Sequence, residues 1–155
     1  MRRADREIGD VTQKMEVLRR CKVVHLAMVD GQGLYSLPLS FGCQVEGEGL
    51  TLYLHSAKEG RKVDILRAGC QVGFSMVSAA ALAEGKTPCS YSCHYESLVG
   101  SGWAEEVTDA EEKCRALGAI LRHQAGVDAD FTETMAESVA VFRIRVTELT
   151  GKARR

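Results

Sequence analysis

Chain breakers, excess charge and long apolar stretches are all scarce in this sequence. Only 2 of its 155 residues are proline, and no Gly- or Ser-rich stretch divides the chain, so linkers and low-complexity tracts are excluded. Net charge is −1, from 20 Lys+Arg against 21 Asp+Glu. That balance lacks the basic excess with which proteins hold nucleic-acid phosphates. No apolar run approaches the ~20 residues of a membrane-spanning helix. Arg2 and Arg3 precede no apolar stretch, so no secretory signal is read there. The six cysteines, Cys21, Cys43, Cys70, Cys89, Cys93 and Cys114, are therefore expected as free thiols in the cytoplasm. Hydrophobic residues make up 45% and charged residues 26%, ordinary for one globular domain spanning residues 1–155.

The apolar period changes along the chain. Ile8, Val11, Met15 and Leu18 recur at helical spacing, which predicts an amphipathic helix from Asp5 to Arg20 laid on a core. Val23 to Val29, then Leu34 to Gln44, then Leu50 to His55 read as strands joined by Asp30-Gly31-Gln32-Gly33 and Glu46-Gly47-Glu48-Gly49, an antiparallel meander. In the second strand Tyr35, Leu37, Leu39, Phe41 and Cys43 share one face. Ser56 to Ala68 turns helical, Cys70 to Val77 returns to strand, and Ser78 to Pro88 reads as a loop. Cys89 to Val107 predicts one bent strand or two, with Gly100 and Gly102 marking a bulge or close backbone approach. Thr108 is read as the cap of a helix from Asp109 to about Gln124. A short helix lies within Phe131 to Ser138, and Val139 to Glu148 closes the chain as a strand. Several short strands with few helices favour an α+β barrel over alternating βαβ units.

The richest stretch is Leu52 to Lys62. A strand ends at His55 and a helix begins, its start carrying Lys58, Arg61 and Lys62. Exposed N–H groups and the positive end of a helix favour an anion, and Arg61 can grip two phosphate oxygens at once. A terminal phosphate monoester fits. The alternative is a capping box between Ser56 and Glu59 with solvated cations on the helix surface. His55 is either a proton donor titrating near neutral pH or a strand-end histidine bonded to backbone, and His25, His94 and His123 take only the second reading. Cys89-Ser90-Tyr91-Ser92-Cys93-His94 has no second ligand pair of zinc-like spacing, so no metal is assigned. Trp103 reads as a core or dimer-interface aromatic.

Taken in order, Leu26-Ala27-Met28-Val29-Asp30-Gly31, Tyr35 to Gly42, Leu52 to Lys62, Ser97-Leu98-Val99-Gly100-Ser101-Gly102 and Leu149-Thr150-Gly151-Lys152 resemble the pyridoxamine-phosphate-oxidase-like FMN-binding split barrels. The resemblance is nearest to the NimA-type nitroimidazole resistance branch and covers about Cys21 to Lys152. It implies an antiparallel Greek-key split β-barrel with flanking helices, a homodimer, and FMN in clefts at the subunit interface. Pro38, Leu39, Ser40 and Phe41 would then line the isoalloxazine ring, partly through backbone groups. His55, Ser56, Lys58, Gly60, Arg61 and Lys62 would hold the ribityl chain and phosphate, with Ser97 nearby. Pro38 also suits an edge position beside a ligand, since proline cannot donate to a ladder. Glu96 and Leu98 depart from the pattern, where relatives often carry a basic residue and Val. The resemblance implies an FMN-dependent oxidoreductase reducing a small organic acceptor, with His55 as its chemical residue; the alternatives are a non-catalytic flavin-binding protein or a haem-binding split barrel.

Overall fold

Alternation along the chain becomes alternation across a sheet. In the computed structural model, which describes residues 3–154, β2 (Val23–Asp30) buries Val24, Leu26 and Met28 and exposes the residues between. Residues 1, 2 and 155 of the expected single domain lie outside the described residues. Asp30 accepts from the Gln32 amide at 2.8 Å in the first turn, and Gly33 supplies its positive φ of 106°. β3 (Gly33–Ser40) then turns Tyr35, Leu37 and Leu39 inward and Leu34, Ser36, Pro38 and Ser40 outward. β4 (Gly42–Glu46) and β5 (Gly49–Ser56) follow as a hairpin, and β6 (Cys70–Ala83), β7 (Ser92–Glu106) and β8 (Ala140–Arg154) are long.

All described pairings are antiparallel, in the order β3-β2-β6-β7-β8-β5-β4, and a short β1 (Glu7–Ile8) joins β8. The two edge strands, β3 and β4, are separated in sequence by Phe41 alone. A single residue cannot span a flat seven-strand path, because neighbouring strands stand ~4.8 Å apart. The sheet is therefore rolled until its edges meet at Phe41, and it stays open where β3 runs back from that point. This is the expected split β-barrel with flanking helices. The continuous strand expected from Leu34 to Gln44 is in fact two, broken at Phe41, whose ring is fully buried.

Inside the barrel, Leu26, Phe41, Leu52, Leu54, Met76, Leu98, Phe142 and Ile144 form the main core. α1 (Val11–Arg20) contributes Val17 and Leu18 to it, and α2 (Arg61–Arg67) contributes Val63, Ile65 and Leu66. A second core lies outside the barrel, where Tyr53 and Val141 meet Ala116, Leu117 and Ile120 of α3 (Ala110–Ala125) and Ala136 of α4 (Glu133–Glu137). Gly42 permits this layer: a Cβ there would lie 2.5 Å from the Ile120 backbone nitrogen.

Four local expectations need correction. The first helix begins at Val11, not Asp5, because Asp10 caps it through the Gln13 amide at 2.8 Å while Glu7 and Ile8 pair with β8. The cap of α3 is Asp109, accepting from the Glu112 amide at 2.8 Å, rather than Thr108. The stretch read as a loop from Ser78 is strand as far as Ala83, bulged between Val77 and Ala79 and paired with 92–96; its alanines carry no period, so pairing decides its state. Trp103 is 46% exposed, over Gly69, and not a core residue. Gly100 and Gly102 do mark close approach, to Phe74 and to the Arg145 carbonyl, with a register shift between Ser101 and Gly102. Among the described residues no helix is long and apolar enough to cross a membrane.

Candidate functional site

The candidate site is built around β3 and the connection that leaves β5. At one end Ser40, the last residue of β3, and His55, near the end of β5, line a single cleft of about 550 Å³. Leu117, Ile120 and Leu121 of α3, with Phe131, Met135 and Val139, form its apolar walls. Five residues back along β3, at ~3.3 Å per residue or ~17 Å, Tyr35 lies under the Arg61 guanidinium at 4.5 Å. Tyr35 and Ser40 lie on opposite faces of β3, so the apolar cleft with its imidazole and the cationic start of α2 are two separate features at the two ends of that strand.

Within this frame the sequence-predicted residues separate. Pro38 and Ser40 face outward on the edge strand, where alternate backbone groups lack a strand partner. Leu39 packs on the core and Phe41 is buried, its carbonyl accepting from Gln124 Nε2 at 2.8 Å. Only backbone atoms of these two could meet a ligand in the cleft. His55 is exposed at the cleft, opposite Val141 in the ladder. Ser56 is buried and its hydroxyl donates to the Ala57 carbonyl at 2.7 Å, so the Ser56–Glu59 capping box does not form. Gly60, at φ 122°, occupies the cap position instead, with no side-chain bond. Glycine meets that backbone demand at no steric cost.

The three cations differ in what already holds them. Arg61 makes a two-pronged pair with Asp30, Nε to Oδ2 at 2.9 Å and Nη2 to Oδ1 at 2.8 Å, and reaches the Gly33 carbonyl at 3.3 Å. The guanidinium holds the Asp30 carboxyl below the usual carboxylate range. Asp30 in turn places a negative charge where a phosphate would approach. Lys58 and Lys62 form no ion pair with the described residues, so they are the cations available to an anion here. The Lys58 carbonyl is braced by Arg67 Nη2 at 3.3 Å.

Ser97 sits on the β7–β8 ladder and does not line the Ser40–His55 cleft. It pairs with Lys152 on β8 and its hydroxyl bonds the Lys152 carbonyl at 3.4 Å. Along β8, Lys152 lies well beyond Val141, the partner of His55, and on its other side Ser97 pairs with Val77 of β6. Glu96, beside it, pairs with Arg20 at 2.5 Å. Sequence reasoning missed Asp30 and Tyr35 as partners of Arg61, and missed the α3 and α4 walls. The signal the sequence offered was Asp30 in the first Gly-rich turn, with nothing to tie it to Arg61.

Comparison with known proteins gives a consistent picture. The family model described as pyridoxamine 5'-phosphate oxidase matches residues 10–153. The structure of a candidate 5-nitroimidazole antibiotic resistance protein from Bacteroides thetaiotaomicron is similar at TM-score 0.78 and 30% identity, covering 94% of this chain and 85% of that one. The flavocytochrome Anf3 from Azotobacter vinelandii is similar at TM-score 0.79 and 18% identity, over 100% of this chain and 72% of that one. An FAD and heme binding protein from Mycobacterium smegmatis has TM-score 0.80 and 15% identity, over 97% and 74%. At such identities the last two share the fold alone. No curated protein sequence matches the chain.

Proposed function

The chain belongs to the pyridoxamine 5'-phosphate oxidase family, and from that premise we propose that it is an FMN-dependent oxidoreductase acting on a small organic acceptor, as a homodimer. The observation that carries this reading is the cleft of Ser40 and His55 with its apolar walls, beside a connection from β5 to α2 whose Lys58 and Lys62 form no ion pair with the described residues. An amphiphile with a flat ring and a doubly charged tail fits that polarity. Bound flavin would supply hydride and electron transfer. The walls of α3 and α4 exclude water from the ring, and the edge of β3 offers backbone groups to its polar rim. Lys58 and Lys62 attract the phosphate, and Arg61 adds charge while its hold on Asp30 fixes its position. His55, exposed at the cleft, is the group placed to hold a proton and deliver it to the acceptor.

The homodimer would let a second copy bring Ser97, which does not line the Ser40–His55 cleft of its own chain, to that site. The extended end of the β6–β7 hairpin supports a homodimer. There Val77, Leu82 and Tyr91 are 52%, 66% and 50% exposed with no second layer over them. The resistance protein of B. thetaiotaomicron suggests nitroimidazoles as acceptors to try first.

The test is a titration of the purified protein with FMN and with riboflavin, read by flavin absorption, which also separates flavin from a haem Soret band. Replacing Lys58 and Lys62 together by Ala is expected to weaken FMN ~10- to 30-fold, at ~1 kcal/mol for each exposed contact, while riboflavin binding stays unchanged. Equal affinity of wild type and variant for FMN refutes the phosphate assignment. His55→Gln is expected to keep FMN and lose turnover with a nitroimidazole.

A further inference from the structure

Beyond α3 from the His55 cleft, a second group of reactive side chains converges. His123, in the last turn of α3, directs Nε2 at the Cys21 carbonyl, 2.7 Å away. A carbonyl only accepts, so Nε2 carries the hydrogen and the neutral ring leaves Nδ1 unprotonated. That nitrogen faces the thiol of Cys43 on β4 at 3.7 Å, so Cys43 donates its S–H to Nδ1. Phe41 fixes the ring, centroid to centroid at 4.4 Å, and Lys22 Nζ donates to the His123 carbonyl. Burial and the Lys22 charge lower the affinity of His123 for a second proton, and burial pushes the Cys43 thiol up against an opposing pull from Arg19. Neutral pH therefore leaves a protonated thiol beside an unprotonated base. Nucleophile, base and orienting acceptor stand in the order that such chemistry requires.

The partly exposed Cys43 and His123 open on a cleft of about 600 Å³. Arg19, Lys22 and Arg122 are among the described residues that line it, and none of those is acidic. Arg122 is shared with Asp128 and Lys22 is held to the His123 carbonyl, while the exposed Arg19 forms no ion pair with the described residues. We infer that Cys43 is a site of thiol–disulfide exchange with a small disulfide bearing carboxylates, for which oxidised glutathione is the probe. The Cys43 proton moves to His123 Nδ1 as Sγ bonds one sulfur of the disulfide. The S–S bond breaks, and its electron pair leaves on the other sulfur, which takes the proton from His123. Cys43 is oxidised to a mixed disulfide, and one thiol is released as the reduced product.

The experiment treats the full-length protein with oxidised glutathione and follows each cysteine by peptide mass spectrometry. Cys43 is expected to react faster than the exposed Cys89 and Cys93. His123→Gln is expected to slow Cys43 at least tenfold without changing Cys89 or Cys93. The uncharged bis(2-hydroxyethyl) disulfide is expected to lose the preference for Cys43. A measurement on wild type guards against misfolding of the variant. The Cys43 rate should level off between pH 6.5 and 8, where His123 is already unprotonated, whereas an unassisted thiol gains tenfold per pH unit below ~8.5. Adducts confined to Cys89 and Cys93, a tenfold rise per unit at Cys43 across that range, or a Cys43 rate indifferent to His123→Gln in a folded variant overturns the inference.

Discussion

Gly42→Ala places a methyl group where α3 crosses the start of β4. A Cβ there would meet the Ile120 nitrogen at 2.5 Å and the Ala119 carbonyl carbon and Ile120 Cα at 2.6 Å each. Ordinary contact begins near 3.4 Å, so about 0.9 Å must be found, and all three atoms are helix backbone. No rotamer change relieves the clash; α3 and β4 have to move apart. Moving α3 strains the Gln124 bonds to the Phe41 and Lys22 carbonyls, at 2.8 and 3.0 Å, and loosens Leu117 and Ile120 in the outer core. Overpacking of this kind costs ~1–3 kcal/mol, set against ~0.8 kcal/mol for the buried methyl. Because backbone must shift and packed neighbours follow, the upper part of that range applies, about 3 kcal/mol. A chain of this size then loses ~6–12 °C in Tm. Gly118→Ala on the same helix is the internal control. Its Cβ would meet only the Ala129 carbonyl, at 3.5 Å, so the gain in helix propensity should stabilise by ~0.5–1 kcal/mol. Urea and thermal melts followed by circular dichroism at one protein concentration measure both. A Gly42→Ala protein within ~0.5 kcal/mol of wild type refutes the account of how α3 is seated.

Two further outcomes follow from particular charges. Arg61→Ala removes the Asp30 pair and the Tyr35 stack, so the urea midpoint should fall at constant m, while FMN affinity changes less than ~3-fold, less than for the Lys58 and Lys62 double variant. Burial lowers the folded-state pKa of His123, so its share of stability is complete above the unfolded value of ~6.5 and is lost as pH falls through the folded value; melts from pH 7 to 5 should show that loss and His123→Gln should flatten it. A second, lower loss is expected as pH falls through the folded values of Asp30 and Glu105, both held below the ordinary carboxylate range by arginine partners.

Much of the barrel was legible because one face of each early strand is buried and the other wet. β2 and β3 carry that alternation openly, whereas β5 also buries Tyr53 of its other face under α3. The break at Phe41 was not legible, since Phe41 and Cys43 continue the inward parity of Leu39 while the chain passes from one sheet edge to the other. The first helix was overextended because Ile8 falls by coincidence at helical spacing, although Asp10 offered the true cap. At the site, the cationic stretch was visible but its partners were not. Asp30 lies 31 residues from Arg61, and nothing local distinguishes a committed arginine from a free lysine. The apolar faces of α3 and α4 look like any core-facing helix. That part of each face lines a cleft depends on how far β3 stands off from β5, a tertiary distance.

The hand-over at Phe41 also explains why two needs arise in the same fold. A sheet whose edges are consecutive strands can close only where they meet, so β3 must diverge and leave backbone groups unpaired along its length. Pro38 limits repair of that edge by another strand, since it cannot donate to a ladder. Meanwhile the β6–β7 hairpin beyond Tyr95 outruns the strands beside it, and a two-stranded ribbon is marginal in water. In the proposed reading a flavin covers the first deficit and a second copy of the chain covers the second. The two would then depend on each other, with Ser97 of one copy contributing to the site of the other. Loss of the dimer by charge substitution at Leu82 and Tyr91 should therefore weaken FMN even though neither residue lines the Ser40–His55 cleft within its own chain.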